Sequence, residues 1–76
     1  MLINIQKIDE ARVYTSLVTI NTDNIELIEW SIDEEYGISR IIFTSGRSVD
    51  FCHKEEPNIN WLKQILGIDW EYNLNF

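Results

Sequence analysis

"ISRIIFTSGRSVDFC", residues 38 to 52, reads as two short strands around a Ser-Gly-Arg turn, and the length of that turn decides which residues share a face. A two-residue Ser45-Gly46 loop sets Ile42 opposite Val49 and leaves Ile41 and Phe43 facing Asp50 and Ser48. A three-residue loop gathers Ile41, Phe43, Val49 and Phe51 on one face and Ile42, Thr44, Ser48 and Asp50 on the other. A slip of one residue carries every side chain across the sheet, so the register that collects the apolar residues is favoured. The stretch is expected to be a hairpin with one face committed to a core.

Toward the N-terminus, "DEEYG" (33–37) is an acidic turn closed by a glycine able to take positive φ. Before it, "IELIEWSI" (25–32) mixes two periods. The interval of three from Ile25 to Ile28 suggests a brief helical turn, and the alternation of Ile28, Trp30 and Ile32 suggests a strand after it. "NTDN" (21–24) holds four small polar residues suited to a turn or to the cap of one helical turn. "VYTSLVTI" (13–20) is dense in residues that favour strands, and "LINIQKI" (2–8) places Ile3 and Ile5 on one parity, with "DEAR" turning the chain between them.

Toward the C-terminus, "EEPNINWLKQILGI" carries helix signals. Glu55 and Glu56 suit the positive end of the dipole, Pro57 fits the first turn, Asn58 offers an alternative cap and Gly67 a stop. Ile59, Leu62 and Leu66, widened by Ile65, form a stripe that needs a sheet to lie on. The final "DWEYNLNF" alternates Trp70, Tyr72, Leu74 and Phe76 with Asp69, Glu71, Asn73 and Asn75, the pattern of a strand with one apolar face.

These readings predict one α+β domain: a small, strongly twisted antiparallel sheet or partly open barrel of five to six strands, with one helix near the C-terminus. Strands are expected over about 2–8, 13–20, 27–33, 38–44, 48–52 and 69–76, and the helix over about 57–66.

Part of this outline resembles a known family. Asn21, Asp23, Ile25, Ile28 and Glu29, followed by Thr44, Gly46 and Arg47, resemble the strand, polar turn and glycine hairpin of small flagella-associated FlbD/SwrD-type proteins. The resemblance covers about forty residues and implies a small β-rich domain with a helix near its end and an assembly or regulatory role. It implies no catalytic residue.

Composition narrows the function classes. At 76 residues the chain is near the lower limit for a self-sufficient core, and its single cysteine, Cys52, cannot form an intrachain disulfide. Met1-Leu2-Ile3-Asn4 lacks the basic and apolar regions of a secretory leader, and no apolar run approaches bilayer length, so a cytoplasmic protein is expected. Six basic against thirteen acidic residues give a net charge of −7, which repels phosphate backbones and anionic lipid and suits a basic partner.

The search for chemistry ends with no catalytic residue, no metal ligand set and no cofactor. Cys52 and His53 are adjacent, and neighbouring strand residues point to opposite faces. Asp33, Glu34 and Glu35 lack the fixed ligand spacing of a calcium loop, and the three glycines are isolated. Arg40 and Arg47 with Phe43 and Phe51 resemble a base-stacking platform only until the overall charge is counted.

What remains is surface. The expectation is a non-enzymatic module that binds a protein with a basic surface, without direct nucleic-acid or membrane binding. Its contact residues are expected to be Trp70, Tyr72 and Phe76 with the acids Glu26, Glu29, Asp33, Glu34, Glu35, Asp69 and Glu71. A specific form is a stoichiometric inhibitor of a nucleic-acid-handling protein, of the kind phages use against host defence. The alternative is a structural, assembly or regulatory protein of the kind the resemblance implies, or one that self-associates as a homodimer through its last strand.

Overall fold

The computed structural model describes residues 1–9 and 14–67. Its elements are β1 (Leu2–Ile8), β2 (Tyr14–Asn21), a single 3-10 turn (Thr22–Asn24), β3 (Ile25–Asp33), β4 (Ile38–Phe43), β5 (Ser48–Cys52) and α1 (Asn58–Leu66). The strands form one antiparallel sheet in the order β2-β1-β5-β4-β3, so the chain is α+β.

The two edge strands, β2 and β3, are consecutive in the chain and joined by three residues. In a flat five-stranded sheet the edges would lie about 19 Å apart, beyond the roughly 10–14 Å that such a link can span. The sheet therefore curls so that its edges approach at the 3-10 turn. No β2–β3 pairing completes the circle among the described residues, and the sheet is not closed into a barrel.

The β4–β5 hairpin takes the three-residue register, with Ile41 opposite Val49 and Ile42 opposite Ser48. Phe43 N–H donates to Arg47 O, Gly46 N–H donates to Phe43 O, and Gly46 has φ +89°. A left-handed residue at that place reconciles a three-residue turn with the strand twist.

Ile3 and Ile5 from β1, Ile41 from β4, Phe51 from β5 and Trp61 and Leu62 from α1 make the buried core. The Phe51 and Trp61 rings meet at 5.1 Å between centroids, tilted by 55°. On the opposite side of the sheet, Ile38 and its cross-strand partner Cys52 join Ile8 in a second small cluster, with Ile32 against it.

Two local readings differ from the sequence-based expectation. The helical turn expected across Ile25–Ile28 is absent: the one-turn helix lies earlier, at Thr22–Asn24, where the Asn21 side chain accepts from Asp23 N–H at 3.0 Å, and Ile25 already opens β3. The spacing of three comes from a register shift between Ile25 and Leu27, which lets Ile25 and Ile28 both reach the core. An extra residue in a strand gives apolar residues the interval of a helix.

The helix stripe also differs. Asn58, Trp61 and Leu62 are buried, Ile59 and Ile65 are half-buried, and Leu66 is 46% exposed. Pro57 occupies the N-cap, and Asn58 does not cap the helix. Gly67 ends it with φ +93°, donating its N–H to Lys63 O. The strand expected at 69–76 lies outside the described residues.

Candidate functional site

β3 carries the acids that the sequence singles out. Glu26 and Glu29 are exposed on the strand, Asp33 ends it half-buried, and Glu34 and Glu35 are exposed in the turn that follows. This gathers five carboxylates along one edge strand and its exit. The Asp33 side chain also shapes the turn, accepting from Tyr36 N–H at 3.2 Å. Trp70, Tyr72, Phe76, Asp69 and Glu71 lie outside the described residues.

The face that bears Glu29 is set by pairing. Glu29 lies opposite Arg40, and Arg40 opposite Asp50, so acid, base and acid form a row across three strands. Arg40 Nε and Nη2 donate to the two Asp50 carboxylate oxygens at 2.7 and 3.1 Å. The Asp50 hydrogen bond, then its charge, raise the Arg40 pKa above its ordinary value, with Glu29 adding to the effect. Arg40 is thus tied into an acidic row, and Phe51, fully buried, has no face to offer a nucleobase.

β3 is irregular at both ends. Beside the shift at Ile25/Leu27, the register against β4 slips between Glu29 and Asp33, where Ser31 adopts φ +55°. A non-glycine residue there costs about 1–2 kcal/mol and needs support. The support is a buried polar group beneath the strand: Ser31 N–H donates to Ser39 Oγ at 3.0 Å, and Ser39 Oγ bonds His53 Nδ1 at 2.7 Å. Ser39 and His53 are both buried, and the Trp30 ring stands edge-on to His53 at 6.2 Å.

Burial, and secondarily the charge of Lys54, push the His53 pKa below its ordinary value. A neutral imidazole accepting at Nδ1 matches a Ser39 hydroxyl that accepts from Ser31 and donates onward. The hydroxyl–imidazole distance suits a nucleophile and its base, yet Ser39 is wholly buried and His53 is 4% exposed. In this arrangement the pair holds the bulge of β3. Cys52 turns to the other face, as neighbouring strand residues do, and its thiol donates weakly to Tyr36 O at 3.5 Å.

A second polar device joins the sheet to the helix. Asn58 Oδ1 accepts from Gln6 N–H and Trp61 Nε1–H, each at 3.0 Å, while Nδ2 donates to Gln6 O at 3.1 Å and Cys52 O at 2.9 Å. β1 pairs with β5 only at Lys7 and Ile8, and the amide takes the place of a strand residue where that pairing stops. Sequence reading missed this role and that of the Ser39–His53 pair, because both depend on partners distant along the chain.

Among the described residues no group of three or more His, Cys, Asp or Glu side chains is arranged to hold a metal ion, and no helix is long and apolar enough to cross a membrane. The chain matches no protein-family model, and no curated protein or solved structure matches it.

Proposed function

We propose that this chain is a non-enzymatic binding module that engages a protein with a basic surface through the β3 edge and the turn after it. The observation that carries this reading is the set of exposed carboxylates Glu26, Glu29, Glu34 and Glu35 on one strand and its exit, in a chain of net charge −7. Such a surface accelerates encounter with a cationic groove and opposes approach to phosphate. Spaced carboxylates can occupy positions that phosphates would take, which makes a stoichiometric inhibitor of a nucleic-acid-handling protein the specific form of the proposal. It acts in the cytoplasm in this reading.

The test is affinity capture on the immobilised full chain, followed by titration of the purified captured protein against wild type and against a chain carrying E26Q, E29Q, E34Q and E35Q. Asp33 is left intact because its carboxylate supports the turn. The expected result is a basic partner whose affinity falls steeply with salt and falls at least about tenfold in the variant. A complex indifferent to salt and to the four substitutions would overturn the reading.

A further inference from the structure

His53 is the chain's single histidine, and it ends a line of hydrogen bonds that starts in β3. Its Nδ1 bonds Ser39 Oγ at 2.7 Å, and Ser39 Oγ accepts from the N–H of Ser31, whose left-handed backbone needs that support. Among the described residues the Ser39 hydroxyl has these two partners, and Ser39 is wholly buried. With Nδ1 bare, the hydroxyl donates to it and every group is matched. A neutral ring of that kind already carries a hydrogen on Nε2, so a further proton can enter only at Nδ1. Donor then faces donor. The hydroxyl hydrogen must turn away, and among the described residues no other acceptor meets it.

The surroundings do not pair a positive ring. Trp30 of β3 stands edge-on to it at 6.2 Å, Ser39 faces it from β4, and Gly37 O accepts its main-chain N–H. Glu29, Arg40 and Asp50 form their row on the opposite face of the sheet, where Cys52 also points, and Asp33 accepts from Tyr36 N–H. Glu34, Glu35, Glu55 and Glu56 are exposed. Burial, then the Lys54 charge, hold the His53 pKa below 6.5, so an opened His53 takes up the proton more readily than a closed one.

We infer that His53 is an acid-sensitive latch on β3: a proton at Nδ1 breaks the Ser31–Ser39–His53 line and frees the stretch between Glu29 and Asp33 from its bulge. Release stays local. β3 lies at the sheet edge, no pair with β4 spans Trp30 to Ile32, and the main buried cluster includes none of Ser31, Ser39 and His53. Glu29 and Asp33 bound the freed stretch, so acid changes the edge that carries the carboxylates. The latch itself stands whether or not that edge binds a basic protein.

The experiment is nuclear magnetic resonance on the full chain between about pH 7.5 and 4.5, following the one imidazole, the Ser31 Cα shift and the amides of Ile5 and Phe51. The ring should titrate below 6.5. Ser31 should move toward extended values with the same midpoint while the Ile5 and Phe51 amides keep their positions, and the freed population should rise by up to about tenfold per pH unit. In His53→Asn an Oδ1 can accept from Ser39 and nothing titrates, so Ser31 should stay left-handed throughout. A ring that titrates with Ser31 unmoved overturns the inference, as does a ring still neutral at the acid limit. Unfolding of the whole chain in step with the ring overturns it too, and so does a Ser31 transition that survives in His53→Asn. The wild-type titration decides alone if His53→Asn fails to fold.

Discussion

Replacing Asn58 by Ala should bring this domain to the edge of unfolding. The side chain is wholly buried and uses two donors and two acceptor sites at once. Its removal orphans the Cys52 carbonyl and the Trp61 indole N–H, which belong to buried residues, and the two main-chain groups of half-buried Gln6. Each dry orphan costs about 1–3 kcal/mol, and those that water reaches cost less, giving about 3–5 kcal/mol in all. A chain of 76 residues has about 4–11 kcal/mol to lose. Urea unfolding followed by tryptophan fluorescence should show the midpoint fall by about a quarter or more with little change in slope.

The companion variant Asn58→Asp isolates the donor. A carboxylate there has no hydrogen to give, and the oxygen replacing Nδ2 faces the carbonyls of Gln6 and Cys52. Only the protonated acid fits, so its folded pKa must rise above the unfolded value of about 3.9. Below that value the group is neutral in both states and the penalty is smallest. The penalty grows by about 1.4 kcal/mol per pH unit until the folded pKa is passed, then stays constant. Relative to Asn58→Ala, Asn58→Asp should therefore gain ground on acidification. A cost below about 1 kcal/mol for Asn58→Ala, or an Asp–Ala difference flat between about pH 3.5 and 7, would refute the assignment of the amide as a surrogate strand residue.

Three further outcomes follow from the same geometry. Ser31→Gly relieves a left-handed conformation while keeping the N–H that donates to Ser39, so it should stabilise by up to about 1 kcal/mol in urea melts. His53, with its pKa depressed by burial, is neutral in both states above its ordinary value of 6.5. As pH falls below 6.5 the unfolded chain takes up the proton first and stability drops until the folded group titrates, a slope that His53→Gln should remove between about pH 5 and 7. Gly37→Ala and Gly46→Ala both strain a positive φ. A Cβ at Gly37 would lie 2.8 Å from Lys54 Cδ, whereas at Gly46 it meets nothing, so the thermal midpoint should fall further for Gly37→Ala.

The parts of the fold legible in the sequence are those whose apolar residues repeat without interruption. The hairpin at Phe43–Arg47 could be registered by asking which loop length gathers Ile41, Val49 and Phe51, and Ile3 and Ile5 announced their shared face by parity alone. β3 resisted because shifts of register break its period: Ile25 and Ile28 point inward, Leu27 outward, and Ile32 reaches the cluster on the far side. Bulges insert residues that local periodicity cannot distinguish from a helical turn. Asn58 failed for another reason. A small polar residue at a helix start satisfies a local rule for capping, and only the approach of Gln6, 52 residues away, converts it into a clamp. Of the candidate site, the exposed acids were legible because charge density is a property of composition. The Ser39–His53 support was not, since the hairpin fold that brings serine and histidine together leaves no mark on either neighbour.

The buried polar groups and the broken β3 edge are physically linked. A domain this small has few apolar residues to spare, and it still places Ser39, His53 and Asn58 inside, each fastened to main chain or side chain from another element. Satisfied buried polar networks rigidify a core and make alternative arrangements costly. Asn58 fixes where β1 leaves β5, and Ser39 with His53 fixes the slip that breaks β3. A regular β3 would present a continuous row of main-chain groups, and its carboxylates would lie beside an edge ready to pair. The bulge leaves the acids displayed and the backbone beside them unfit for pairing. Loss of the Ser39 hydroxyl should therefore do more than destabilise: Ser39→Ala ought to let the Glu29–Asp33 stretch relax toward a regular strand. Nuclear magnetic resonance would detect this as a change of Ser31 Cα shift toward extended values. An unchanged left-handed Ser31 in that variant would mean the bulge is held by something other than this hydrogen bond.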